Sequence, residues 1–150
     1  MRIVIQRVKQ ASVAVDNQVI SQINHGLLVL VGVENGDTED DCRWLAAKTV
    51  ALRIFDDENG VMNRSVADVA GNVLAVSQFT LTASTRKGNR PSYIRAAGHE
   101  LATHLYQLYA DLIADALGRP TAQGRFGADM QVSLVNDGPV TIIIDSRLRE

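Results

Sequence analysis

"GLLVLVGV", residues 26–33, has no polar side chain at any position. A strand with one wet face alternates apolar and polar residues, so the continuous run Leu27 to Val33 fits a strand covered on both faces. The rest of the chain must supply a layer above it and a layer below it.

Upstream, Arg2 to Val8, Ser12 to Val15 and Val19 to Ile23 alternate with the period of two expected of half-buried strands, and Asp16, Asn17 and Gln18 read as the turn between the last two. The N-terminal third is a meander. Downstream, Asn35, Gly36 and Asp37 break the pattern, and Thr38 with Asp41 three residues on has the form of a capping box. The helix it starts carries Cys42, Leu45, Ala46, Thr49 and Leu52 on one stripe. Arg53 to Phe55 is extended, Asp56 to Gly60 is a turn, and Val73 to Thr82 is the next strand. A second helix is predicted from His99 to Leu117, with Leu101, Leu105, Leu108, Leu112 and Ala116 at helical spacing and Gly118 and Pro120 as stop signals. Met130 to Val135 and Val140 to Asp145 close the chain as two strands.

Two helices against seven or eight strands define an α+β single domain over residues 1–150, with mostly antiparallel or mixed, barrel-like sheet layers and the helices packed on them. At 150 residues and 46% hydrophobic the chain is long enough to bury a real core. No stretch approaches the roughly 18 apolar residues of a membrane span. Arg2 followed by alternating Ile3, Ile5 and Gln6 does not resemble a signal peptide. Cys42 is the single cysteine, as suits a reducing compartment, and the expected location is the cytoplasm.

The net charge of -2 argues against a protein that coats nucleic acid over its whole surface. The charge is unevenly spread, however. Glu34 to Asp41 holds five acids and no base, whereas Ser84 to Gly98 holds Arg86, Lys87, Arg90 and Arg95 and no acid, which leaves a local anion site open. Nucleophile elbows, phosphate loops, dinucleotide fingerprints and paired-histidine metal motifs are absent. His25, His99 and His104 do not pair at ligand spacing, so neither a metal nor a cofactor is expected.

Two segments carry chemistry. In "SQFTL", Ser77 to Leu81, polar groups enter an otherwise apolar strand. A strand's period would put Gln78 and Thr80 on one face, as either a strand end emerging into water or a pocket wall of hydroxyl, amide and main-chain groups. In "NDGPVTIIID", residues 136–145, Gly138 and Pro139 either close a tight turn or form a stiff main-chain clamp, because proline removes a donor and fixes one dihedral.

Taken with "QRVKQASVAVD" (6–16), "LRIFDDENGVMNRS" (52–65), "TRKGNRPSY" (85–93) and "GRFGADMQVSLVNDGPVT" (124–141), these motifs resemble the D-aminoacyl-tRNA deacylase family, also called D-tyrosyl-tRNA deacylases, from Met1 to about Ser146. The resemblance implies a homodimeric hydrolase that cleaves the ester between a D-amino acid and the 3′-terminal adenosine of tRNA. It also implies a cis Gly138–Pro139 bond reaching into the other subunit's site. On that reading Ser77, Gln78, Phe79 and Thr80 are the catalytic candidates, with Thr80 as nucleophile or positioning group. Main-chain donors near Gln78 and Phe79 would hold the oxyanion.

Thr80 has no base in the motif to activate it, so help from the substrate's ribose hydroxyl is the favoured route. Gly138 and Pro139 would exclude L-esters and accept D-esters and glycyl esters; Met130 and Phe79 would pack around the adenine; and Arg86, Lys87 and Arg90 would contact phosphates. The alternatives are a non-catalytic nucleic-acid-binding module and a general small-ester hydrolase.

Overall fold

A computed structural model describes residues 1–149. β1 (Arg2–Val15) and β2 (Gln18–Ile23) form a hairpin whose turn residues Asp16 and Asn17 both have positive φ, 50° and 61°. That is the twist-compatible form of a two-residue turn, and short polar side chains tolerate it. β1 is one strand of 14 residues rather than the two expected. Its first half pairs antiparallel with β3 (Gly26–Gly32) and its second half with β2, and register shifts near Val8 and at Val13/Ala14 let it bend between the two.

β3 lies parallel to β6 (Asn72–Ser77), and β6 lies parallel to the short β7 (Ala122–Gln123). β2 comes back beside β6 and β7, so the sheet is mixed and nearly closed into a barrel. A two-strand ribbon, β4 (Phe55–Asp56) and β5 (Met62–Arg64), stands apart.

β3 is covered on both faces, as its composition requires. Leu27, Val29 and Val31 point into the larger core cluster, with Ile3, Ile5, Val73 and Ala75 from the sheet. Cys42, Leu45 and Ala46 of α1 (Glu39–Ala51) and Leu105, Tyr106, Tyr109 and Ile113 of α2 (His99–Leu117) cover them from above. Leu28 turns the other way into a smaller cluster with Val8, Val13, Leu74 and Val76. Asp41 accepts hydrogen bonds from the Thr38 amide (2.9 Å) and hydroxyl (3.0 Å) at the start of α1. Gly118, at φ 67°, ends α2 in the left-handed conformation glycine favours.

Two further expectations need correction. The strand predicted from Val73 to Thr82 stops at Ser77, and Phe79–Thr82 coil into a 3-10 turn. The Gln78 amide donates to Val31 O (2.7 Å), the last bond to β3; the chain then turns, with Leu81 N donating to Gln78 O (3.2 Å). Gln78 and Thr80 therefore do not share a strand face.

The second correction concerns the C-terminal end, where Gln131–Asp145 is one strand, β8, paired along β1. Gly138 and Pro139 lie within it rather than between two strands, because side chains replace the ladder bonds there. Arg7 Nε donates to Asp137 O (2.9 Å), and Val140 N donates to Asn136 Oδ1 (2.9 Å).

Candidate active site

Where β6 ends and the 3-10 turn begins, a cleft of about 260 Å³ opens between the sheet and the start of α2. Ser77, Gln78 and Phe79 form one wall. Val31, Val33 and Val76 line the floor, and Ala97, Ala102, Tyr106, Phe126 and Met130 complete the rim. The turn reaches this position because β3 ends in Gly32. A β-carbon there would come within 2.9 Å of Leu81 Cβ and 3.2 Å of Gln78 O, so only glycine leaves the room. Arg2 Nη1 donates to Leu81 O (3.0 Å) and pins the turn from the other side, while its Nη2 pairs with Asp145 (2.9 Å).

The chemistry available is narrow. Among the described residues no acid, imidazole or amine lines the cleft, and the one titratable side chain there, Tyr106, is out of play. Burial pushes the Tyr106 phenol up to about 12, and its hydroxyl donates to Ala75 O (2.8 Å). What remains is the Ser77 hydroxyl, the Gln78 amide group and main-chain donors. The Gln78 amide N–H is spent on Val31, so the oxyanion donor expected there is not free. The first N–H groups of a 3-10 turn have no partner within the turn, which leaves Phe79 N–H as the main-chain donor on this wall. Thr80 does not line the cleft. It stands one step back, where its Oγ1 accepts from Gln78 Nε2 (2.5 Å) and orients that amide.

The remaining sequence candidates divide. Met130 is on the cleft rim, and its Sδ would meet a β-carbon at Gly124 at 2.6 Å. Arg86, Lys87 and Arg90 are exposed on a hairpin closed by Ser84 and Ser92 and do not line the cleft. Gly138 and Pro139 are exposed, joined by a cis bond, and lie outside their own cleft. They stand level with Arg7 and Leu27, whereas Ser77 is level with Val31: four residues along, about 13 Å, and three strands across.

Sequence reasoning missed Arg7, which is 7% exposed and holds this segment. Besides Asp137 O, its Nη1 donates to Ile54 O (2.6 Å) and faces Asp56 Oδ1 (3.5 Å). It also missed Gly32, although a glycine interrupting an apolar strand is a signal of close approach. Phe126, Tyr106 and Ala97 carry no local signal at all.

The fold and the cleft together define a small α+β domain whose cleft offers hydroxyl, amide and main-chain groups and, among the described residues, no charged side chain. The family described as D-Tyr-tRNA(Tyr) deacylase matches residues 4–145. A D-aminoacyl-tRNA deacylase of Opitutus terrae is 61% identical and one of Parabacteroides distasonis 57% identical, each over 100% of both chains. Among solved structures, a c-Myc DNA unwinding element binding protein superposes with a TM-score of 0.91 at 38% identity, covering 97% of this chain and 98% of that one. A probable eukaryotic D-amino acid tRNA deacylase shares the fold, with a TM-score of 0.82 at 16% identity over 95% of this chain and 97% of that one. The chain belongs to the D-Tyr-tRNA(Tyr) deacylase family, as its motifs indicated, and is a hydrolase. No helix among the described residues is long and apolar enough to cross a membrane.

Proposed function

We propose that the protein hydrolyses the ester joining a D-amino acid to the 3′-terminal adenosine of tRNA, releasing the free amino acid and tRNA. The observation that carries this reading is the uncharged cleft. An aminoacyl ester is already activated toward hydrolysis and brings a neighbouring ribose hydroxyl, so the protein has only to hold the carbonyl and aim the attacking group. Phe79 N–H and the Ser77 and Gln78 side chains face the carbonyl, Thr80 sets the Gln78 amide, and the ribose hydroxyl assists the attack.

Chirality is selected by main chain. D- and L-esters differ in the direction the side chain leaves the α-carbon, and apolar fit alone separates such substrates by about 1–3 kcal/mol. Hard overlap separates them further. Gly138 and Pro139 form the wall, with Asp137 tethered by Arg7 and Val140 by Asn136. Their distance from their own Ser77 supports a reading in which a second copy of the chain supplies them, with a homodimer as the working unit. Glycyl-tRNA, with hydrogen at both positions, passes the same wall.

The test is release of amino acid from D-Tyr-tRNA, L-Tyr-tRNA and Gly-tRNA, followed chromatographically. Cleavage of the D- and glycyl esters with the L-ester spared is expected. Equal cleavage of D and L, or of neither, would defeat the reading. A second reading, a nucleic-acid-binding module without turnover, is favoured by the acid-free basic hairpin and by the DNA-binding name of the solved structure at 38% identity. It predicts that RNA is retained with the ester intact.

A further inference from the structure

At the open side of the cleft the rings of Phe79 and Tyr93 meet edge to face, with centroids 5.0 Å apart and planes inclined at 66°. Both are in water: Phe79 is 58% exposed, Tyr93 39%, and neighbouring Ile94 83%. Two adjacent exposed rings serve no core. Tyr93 is nonetheless held firmly, since Ala96 N donates to its carbonyl (2.9 Å), Asn35 N donates to Arg95 O (2.9 Å), and paired amides of Ser84 and Ser92 close the hairpin before it (2.8 and 2.9 Å).

The segment that carries the two rings is of one sign. From Phe79 to His99 the chain carries Arg86, Lys87, Arg90 and Arg95 and no Asp or Glu. The acid facing Arg95 is Glu34, 3.7 Å away and buried. Fixed aromatic faces on a segment with basic side chains and none that are acidic suit a ligand that alternates flat rings with phosphates. Phe79 also forms the cleft wall, so a base resting on Tyr93 lies one ring's width from whatever occupies the cleft.

We propose that Phe79 and Tyr93 form a stacking platform for the nucleotide that precedes the esterified adenosine, with the Arg86, Lys87 and Arg90 hairpin on its phosphates. The identity of that nucleotide rests on the deacylase reading, whereas the platform itself requires only a single-stranded RNA end.

The test is fluorescence anisotropy of a six-nucleotide single-stranded RNA ending in CCA, with D-Tyr-tRNA hydrolysis measured in parallel on the same proteins. Losing one stacked base should raise the Kd about ten-fold in Tyr93→Ala. Tyr93→Phe, which keeps the ring, should bind as the wild type does. Tyr93→Leu, which keeps apolar bulk against Phe79 and guards against a misfolded alanine variant, should show the same loss as Tyr93→Ala. Equal affinity of wild type and Tyr93→Leu, or capture by anionic phosphatidylserine vesicles in preference to the RNA, would overturn the platform. RNA bound through Tyr93 while D-Tyr-tRNA stays intact would instead sink the deacylase reading and leave the platform standing.

Discussion

On the proposed reading Thr80 and Gly138 differ sharply in what replacement costs. Thr80 Oγ1 accepts from the Gln78 side-chain amide and has no imidazole or carboxylate partner among the described residues, so none of them removes its proton. Thr80→Ala should lower kcat by less than about ten-fold, where removal of a covalent nucleophile costs on the order of 10⁴-fold or more. Steady-state kinetics on D-Tyr-tRNA separate the two, and a dead variant would restore Thr80 as nucleophile. Gly138 is far less forgiving. Its φ of 132° lies where L side chains rarely go, and a β-carbon would meet Val140 Cγ2 at 2.9 Å and Arg7 Nη2 at 3.0 Å. Gly138→Ala should cost about 1–3 kcal/mol of stability and loosen the Arg7 tether. The D-over-L ratio should fall in the same protein, and an unaltered ratio would count against the clamp.

Among the elements, the join between β3 and the 3-10 turn matters most to the site. Gly32→Ala should push Leu81 and Gln78 away, cost about 1–3 kcal/mol by overpacking, and raise KM more than a surface change of equal stability cost. Paired thermal melts and kinetics would show it. Elements governed by local periodicity were legible in the chain itself: the double coverage of β3, the stripe of α2, and the Thr38 and Asp41 cap of α1. The extent of β6 and β8 was not. β6 ends where the chain folds back through Leu81 N to Gln78 O against Gly32, and β8 runs unbroken through Pro139 because Arg7 reaches Asp137 across 130 positions of sequence. Site residues divide in the same way. Ser77, Gln78 and Phe79 stand together as a motif, whereas Tyr106, Phe126 and Ala97 come to the cleft only through the packing of α2 and the segment after it.

At the scale of the molecule, acid should loosen the tie between the chain's end and the site. Burial tends to raise the Asp145 carboxyl, but the Arg147 amide and the Arg2 guanidinium outweigh it and hold the group below its ordinary 3.8. A carboxylate depressed in the folded state stabilises fully above its unfolded value, and the contribution is lost as pH falls below 3.8 through the folded value. The melting temperature should therefore hold between roughly pH 5 and 7 and drop below about 3.8, with a shallower drop in Asp145→Asn. Arg2, released from Asp145, also loses part of its hold on Leu81.

The two-sided burial of β3 sets a hierarchy of motion as well. Amide protons of Val29 and Val31, roofed by helices and backed by the smaller cluster, should be the last to exchange with deuterium, while those near Met130 and Val132, packed only against that thinner side, should exchange early. The cleft then has a permanent floor and a more mobile side at Met130, the side past which, on the proposed reading, a bulky esterified end enters without disturbing the wall at Ser77 to Phe79.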